Sequence, residues 1–196
     1  MKKTKKLDVV FLLDRSGSMS NCVEDTIGGY NNFLNEQKEN NNSLITTILF
    51  DDRYEILYDR VPVNKVQKLT NKEYYVRGCT ALMDAIGKTI TTLEKEEVEK
   101  VLFIITTDGM ENASKEYREE HIKSLIEKHN DWEFLFIGAN IDSYSEGHNL
   151  GIKKDNIANY EQSTQGIQKL FKSLSKASTM MMEEKSIGSK WKSELE

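Results

Sequence analysis

The sequence is poor in the residues that mark secreted, fibrous and membrane proteins. It holds two cysteines and one proline among 196 residues, which excludes a disulfide framework and a collagen-like composition. The low cysteine count fits a reducing compartment, so we expect a cytoplasmic protein. No apolar run approaches the roughly 18 residues that a membrane span needs. The sequence therefore predicts a soluble globular protein that meets its partners in solution, with no membrane involved.

An excess of positive charge is also missing. The chain has 27 lysines and arginines against 32 acidic residues, a formal net charge of −5, whereas an extended nucleic-acid surface usually carries the opposite imbalance. We therefore expect no nucleic-acid partner. Residues 1–6 are basic, but the apolar run 9–13 that follows is shorter than the roughly 7 to 15 apolar residues of a signal peptide. We interpret residues 1–6 as a solvated N-terminal tail.

Apolar runs rich in β-forming residues alternate with helical patterns along the chain. This alternation predicts a doubly wound, Rossmann-like α/β fold with a mostly parallel sheet and helices on both faces. Four runs are continuously apolar, as in strands buried on both faces: 7–13, 44–50, 101–106 and 132–137. The segment 53–58 alternates instead, which predicts an antiparallel edge strand that ends at Pro62. Helical patterns occupy 23–39, 81–95, 115–129 and 164–183.

A chain of this length is expected to form one domain. We place that domain at 7–183 and interpret 184–196 as a C-terminal tail, whose order the sequence does not predict. Within the first helical pattern, Gly28 and Gly29 should each cost about 1 kcal/mol relative to alanine. We expect this pair to allow close packing of the helix on the sheet.

The strongest chemical signal follows the first predicted strand, in the sequence Asp14-Arg15-Ser16-Gly17-Ser18. A carboxylate at a strand end lies at the edge where open α/β sheets bind ligands. Ser16 and Ser18 can turn their hydroxyls towards one point if Gly17 provides a tight turn. Carboxylate and hydroxyl oxygens suit a hard divalent cation, Mg²⁺ above all. Alone, the motif does not distinguish a metal site from an ordinary loop.

Two further residues strengthen this interpretation. Asp108 follows the predicted strand 101–106, so we expect it at the same edge of the sheet as Asp14. Thr80 precedes a helical pattern and fits an N-cap whose hydroxyl faces the loop rim. Each has an ordinary explanation, a turn for Asp108 and a helix cap for Thr80. Their joint occurrence with the first motif, in this order and at this spacing, indicates one shared site.

These three segments together resemble the von Willebrand factor A domain with its metal-ion-dependent adhesion site. That family has D-x-S-x-S after its first strand, a threonine in a middle loop and an aspartate in a T-D-G-like turn after its fourth strand. The resemblance covers nearly the whole chain and is greatest to small, stand-alone bacterial members. It implies that Ser16, Ser18 and Thr80 are hydroxyl ligands of Mg²⁺, with Mn²⁺ or Ca²⁺ as substitutes. It implies that Asp14 and Asp108 hold the ion directly or through water.

The resemblance also implies a function, which is non-catalytic binding of another protein. An aspartate or glutamate of the partner would complete the coordination of the ion, and the chain is expected to work as part of a larger complex. Neutral hydroxyl ligands leave the metal more electrophilic than a cage of carboxylates would. In the family the final helix shifts with the site, and 164–183 is the matching segment here. We interpret Arg15 as a solvated side chain, the alternative being that it pairs with the incoming acid.

Other readings stay open at this point. A Mg²⁺-dependent phosphohydrolase would use Asp14 to attack phosphorus, as haloacid-dehalogenase phosphatases do, but that family has a second aspartate where this chain has Ser16. A serine hydrolase lacks its G-x-S-x-G motif, and His121, His129 and His148 form no short metal signature. A scaffold with a relic site is a third reading. Cys22 and Cys79 lie near the predicted metal loops in the sequence. Their oxidation could therefore tune metal binding, the alternative being that both are buried, inert thiols.

Overall fold

A computed structural model, which describes residues 6–40, 42–183 and 187–195, contains a six-stranded sheet. Within those residues the strand order is β3-β2-β1-β4-β5-β6, and only β3 runs antiparallel to its neighbour. This confirms the predicted doubly wound α/β class with one antiparallel edge strand. The strands are β1 (Leu7–Asp14), β2 (Ser43–Phe50), β3 (Tyr54–Pro62), β4 (Val101–Thr107), β5 (Glu133–Gly138) and β6 (Ile157–Asn159).

Helices cover both faces of the sheet. The hydrophobic core on one face includes side chains of α1 and α5, and the core on the other face includes side chains of α2 and α3. In the described part of the chain, no helix is both long enough and apolar enough to cross a membrane. The helices are α1 (Val23–Asn40), α2 (Leu82–Leu93), α3 (Glu119–Lys128), α4 (Ser143–Asn149) and α5 (Thr164–Met182).

The central strand β1 shows why its sequence is apolar throughout. Successive side chains of a strand point to opposite faces, and Phe11 and Leu13 accordingly enter the α1/α5 core while Val10 and Leu12 enter the α2/α3 core. All eight residues of the strand are buried. Each large apolar side chain contributes about 1.5 to 3 kcal/mol to the stability of the fold when it is fully buried. This strand therefore stabilises the helix layers on both faces of the sheet.

The glycine pair in α1 does not act as predicted. An added Cβ at Gly29 would come within 2.1 Å of the Phe171 ring of α5, whereas one at Gly28 would meet nothing within 4 Å. The close packing is therefore between α1 and α5 rather than between α1 and the sheet, and only one glycine of the pair is needed for it. Helices on one face of a sheet must fit side by side, and the missing side chain of Gly29 makes room for Phe171.

Helix α3 begins four residues later than its pattern predicted. The backbone N–H groups of Lys115, Glu116 and Tyr117 all donate to the carboxylate of Asp84, each at 2.9 Å. These hydrogen bonds shape the chain into a turn before the helix begins at Glu119. They also bind the segment after β4 to the first turn of α2.

The C-terminal residues 187–195 pack against the β6 edge of the sheet. Trp191 is fully buried and its indole N–H donates to the carbonyl of Asp155 at 2.9 Å. The ammonium of Lys192 donates to the carbonyl of Ile157, a residue of β6, at 2.8 Å. Residues 1–5, 184–186 and 196 lie outside the described residues, and the division at residues 7 and 184 stays a prediction.

The strand order brings the ends of two central strands together. From β1 the chain first adds β2 on one side and later returns to add β4 on the other, so the order reverses at β1. The carboxyl ends of β1 and β4 are neighbours, with Leu13 opposite Thr106. Such a reversal opens a crevice where α/β sheets bind ligands. The loops after β1 and β4 meet there.

Candidate metal centre

Asp14 ends β1 and is fully buried. Its Oδ1 accepts a hydrogen bond from the backbone N–H of Ser16 at 2.7 Å, and its Oδ2 accepts one from the hydroxyl of Thr107 at 2.6 Å. Burial raises the pKa of Asp14 to about 6, although these hydrogen bonds oppose the shift. The protein therefore holds a carboxylate in a position where its charge is poorly solvated, and a cation beside it would relieve that cost.

The two serines connect Asp14 to the loop after β4. Ser16 Oγ lies 3.0 Å from Ser18 Oγ, and Ser18 Oγ donates to Oδ1 of Asp108 at 2.5 Å. A short 3-10 helix begins at Gly17, so the backbone turns between the two serines as predicted. Ser16 is buried and Ser18 is exposed. The row of hydroxyls thus runs from the buried end of β1 to the surface.

Thr80 reaches the same place from a third segment, but it is not the N-cap of α2. The N-cap position is Ala81 and has no side-chain cap. The first N–H groups of the helix, at Met83 and Asp84, bind instead to the side chains of Glu111 and Ser114 at 2.9 and 3.0 Å. The predicted capping role is therefore wrong, because the loop after β4 provides the caps.

The hydroxyl of Thr80 faces the loops of the serines and Asp108. A Cβ added to Gly109 would lie 3.1 Å from Thr80 Oγ1 and 3.4 Å from Ser18 Oγ, so the two hydroxyls flank one small space beside Asp108. Asn112 holds Thr80 in place through two hydrogen bonds, from Thr80 N–H to its Oδ1 at 2.9 Å and from its own N–H to the Thr80 carbonyl at 3.0 Å.

Asp108 follows β4 directly and is buried. Its Oδ1 accepts the hydroxyl of Ser18, and its Oδ2 accepts the side-chain amide of Gln162 at 2.6 Å. Burial raises the pKa of Asp108, opposed by these two hydrogen bonds. Both carboxylates of the cluster therefore have charged forms that the surrounding protein solvates incompletely.

Arg15 is not the solvated side chain that the sequence suggested, and it does not face an incoming acid. It is fully buried; its Nε lies 2.9 Å from Oδ2 of Asp51, and one terminal nitrogen lies 2.7 Å from Glu55. Arg77 also binds Asp51, at 2.7 Å. Burial alone would raise the pKa of Asp51, but the hydrogen bonds that it accepts, chiefly from Arg77, lower its pKa. Arg15 thus ties the loop after β1 to the β2–β3 turn.

The oxygens of this cluster fit a hard divalent cation. Two carboxylates balance a double charge, and the hydroxyls add neutral oxygen donors, which suit Mg²⁺ and Mn²⁺ better than softer metals. Among the described residues, no three histidine, cysteine, aspartate or glutamate side chains lie close enough together to hold a metal. The hydroxyls are therefore essential to any site here. The structure brings the five residues named from the sequence to one end of the sheet, and their role as metal ligands stays a prediction: Asp14, Ser16, Ser18, Thr80 and Asp108.

The structure adds three residues that the sequence did not indicate. Thr107 and Gln162 bind the two carboxylates, and Asn112 clamps Thr80. Thr107 precedes Asp108 on a strand that pairs with β1, so its hydroxyl lies next to Asp14 once the register is known. Gln162 lies in the loop before α5, far along the chain, and no local pattern marks it.

The two cysteines differ in exposure. Cys22 is buried and Cys79 is exposed, and both are free thiols. Burial raises the pKa of the Cys22 thiol, which makes it less reactive. The redox hypothesis stays a prediction, with Cys79 as its more accessible thiol.

Comparisons with known proteins bear on the fold. No protein-family model and no curated protein matches the sequence. A von Willebrand factor type A structure from Catenulispora acidiphila is 11% identical, with a TM-score of 0.62 over 89% of this chain and 43% of that one. The vWF domain of a type V pili tip protein from Porphyromonas gingivalis is 9% identical, with a TM-score of 0.69 over 92% and 97%.

A third similar structure is proximal thread matrix protein 1 from the mussel byssus. It is 19% identical to this chain, with a TM-score of 0.65, and the match covers 88% of this chain and 46% of that one. The chain thus spans about half the length of the mussel protein. At identities this low the likeness concerns the fold alone, which is a von Willebrand factor A-like α/β fold.

Proposed function

We propose that this protein is a divalent-metal-dependent protein-binding module. Mg²⁺ is the proposed ion, with Mn²⁺ or Ca²⁺ as substitutes, and the partner is a protein that presents an aspartate or glutamate. The observation that supports the proposal best is the convergence of oxygens from three chain segments at the reversal point of the sheet. The module is proposed to be non-catalytic and to work within a larger complex.

The exposure of the cluster suits capture of an acidic group from outside. Asp14 and Ser16 lie at its buried end, while Ser18 is exposed and Gly109 partly so. A divalent cation held here would supply the positive charge that attracts a carboxylate. The protein's own part is to fix its oxygens in advance, through the hydrogen bonds to Asp14, Asp108 and Thr80, and to leave the outer side open. A solved structure of similar fold is that of a pilus adhesin, which supports a binding role for the proposed module.

The phosphohydrolase alternative is less well supported. A nucleophilic aspartate must present an oxygen to a phosphate group that arrives from solvent, but the side chain of Asp14 is fully buried. In haloacid-dehalogenase phosphatases a second acid at the position of Ser16 acts as general acid and base. Here that residue is a serine, and its backbone N–H donates to Asp14 at 2.7 Å. We therefore assign Asp14 to the metal site and not to catalysis.

The thiols support a proposed cytoplasmic location. Cys22 and Cys79 are free, and Cys79 is exposed. An exposed thiol stays reduced in a reducing environment such as the cytosol. We therefore propose that the module works in the cytoplasm.

Affinity capture tests the proposed function. The purified chain, immobilised on a resin, is incubated with lysate of its source cells in Mg²⁺ or in EDTA. We expect a small set of proteins that is retained in Mg²⁺, released by EDTA and missing from a resin with the Asp108→Ala variant. Replacement of the docking aspartate or glutamate in such a protein by its amide should abolish retention. An identical set of proteins in Mg²⁺ and in EDTA would contradict metal-dependent binding.

A further inference from the structure

All four carboxylate oxygens of the metal centre already hold a hydrogen-bond donor from the protein. The two oxygens of Asp14 bind the Ser16 N–H and the Thr107 hydroxyl, and those of Asp108 bind the Ser18 hydroxyl and the Gln162 amide. Three of these donors belong to segments that also form the site. Gln162 is different, because it comes from the loop before α5 and is no part of the three-segment motif.

The side chain of Gln162 is held in one orientation. Its Nε2 donates to Asp108 Oδ2 at 2.6 Å and to the Ser18 carbonyl at 3.3 Å. Its Oε1 accepts from the side-chain amide of Asn140 at 2.8 Å. Because a carboxylate and a backbone carbonyl only accept hydrogen bonds, Asp108 and Ser18 require the nitrogen end of Gln162 to face them. The donor is thus aimed at the carboxylate.

We propose that Gln162 is a positioning residue that makes this centre prefer Mg²⁺ to Ca²⁺. The proposal rests on the metal site of the proposed function and adds its selectivity. By engaging Oδ2, Gln162 leaves Asp108 with Oδ1 as the oxygen that faces Ser18 and the hydroxyl cluster. The carboxylate is thereby prevented from turning both of its oxygens towards one ion.

The selectivity follows from the different demands of the two ions. Ca²⁺ takes six to eight oxygen ligands and readily accepts both oxygens of one carboxylate, whereas Mg²⁺ requires about six ligands in a near-octahedral arrangement. A site in which Asp108 turns only one oxygen to the ion meets the demand of Mg²⁺ and leaves Ca²⁺ short of ligands. Asp14 cannot compensate by turning both of its oxygens to one ion, since Ser16 and Thr107 each engage one of them.

A merely structural role for Gln162 makes a different prediction. If the side chain served only to anchor the loop before α5, its loss would weaken the binding of both ions equally. Gln162 is partly exposed, and α5 is attached independently by its buried face, which includes Ile167, Leu170 and Leu174. Removal of the amide should therefore leave the fold intact and change the ratio of the two affinities.

Titration calorimetry with Mg²⁺ and Ca²⁺ separates these possibilities. For Gln162→Ala we expect the Mg²⁺ affinity to fall about tenfold, the usual effect of losing a partner of a metal ligand, and the Ca²⁺ affinity to fall less than about threefold. Gln162→Glu removes the donor and adds a carboxylate, so it should raise the Ca²⁺ affinity above that of the parent protein. Gln168→Ala, an exposed position on α5, is the matched control and should change neither value.

The outcomes distinguish the two levels of the proposal. Equal losses for both ions in Gln162→Ala, or an unchanged ratio in Gln162→Glu, would overturn the selectivity role while the metal site stands. A parent protein that binds neither ion would overturn the metal site itself. Circular dichroism melting curves of each variant, recorded in EDTA, confirm that the compared proteins are folded.

Discussion

Replacing Asp108 with alanine should lower the Mg²⁺ affinity about 100-fold, because it removes one of the two charged groups of the centre and the acceptor of the Ser18 hydroxyl. The fold should survive this change. Burial raises the pKa of Asp108, so at neutral pH its charged form is less favourable in the folded chain than in the unfolded one. Its removal relieves that cost, which offsets the lost hydrogen bonds to Ser18 and Gln162.

Thermal melting measures both parts of this prediction. At a Mg²⁺ concentration about 100 times Kd, binding stabilises the parent protein by about 2.7 kcal/mol, which raises Tm by roughly 5 to 11 °C for a chain of this size. Asp108→Ala should melt near the parent in EDTA and shift by only about 1 to 2 °C with Mg²⁺, because the same Mg²⁺ concentration then equals its weakened Kd and stabilises it by about 0.4 kcal/mol. Asp131→Ala, at an exposed position before β5, should keep the full shift. A full shift in Asp108→Ala would contradict the assigned site.

Replacing Arg15 with alanine should destabilise the fold by about 3 kcal/mol, the low end of the cost of breaking a buried ion pair. Arg15 is fully buried, and its removal leaves the equally buried Asp51 with Arg77 as its one charged partner among the residues that the structure describes. Burial of a carboxylate with fewer partners is costly. The loss stays near the lower limit because Arg77 keeps its 2.7 Å contact with Asp51.

Urea unfolding provides the measurement for Arg15. The variants compared are Arg15→Ala, Arg77→Ala and Arg53→Ala. Arg77 is partly exposed, so its loss should cost about 1 kcal/mol, and the exposed Arg53 should change the free energy of unfolding by less than about 0.5 kcal/mol. If Arg15→Ala proved as harmless as Arg53→Ala, the buried role of Arg15 would be wrong.

The sheet could be predicted from sequence because its strands are buried on both faces. Continuous apolar runs such as 101–106 are typical of strands buried on both faces of a parallel sheet, and the alternating run of β3 indicated an edge strand. Two elements were missed, α4 with seven residues and β6 with three. Neither is long enough to show a period, and both depend on packing against β5.

The five proposed metal ligands could be found because their chemistry is local in the sequence. Asp14 and Asp108 end strands, and the topology of a parallel sheet brings strand ends to one edge. The roles of Arg15 and Gln162 were not predictable in this way. The partners of Arg15 lie 36 and 40 residues along the chain, and Gln162 is 54 residues from Asp108. Only the folded arrangement shows such pairings.

Crystals of the protein soaked in Mn²⁺ give the most direct test of the account. Manganese scatters anomalously, so its position can be located independently of the surrounding protein. We expect one strong anomalous peak bounded by the side chains of Asp14, Ser16, Ser18, Thr80 and Asp108. An ordered crystal with no peak among these residues, or with its only peak elsewhere, would show that the cluster does not hold a metal.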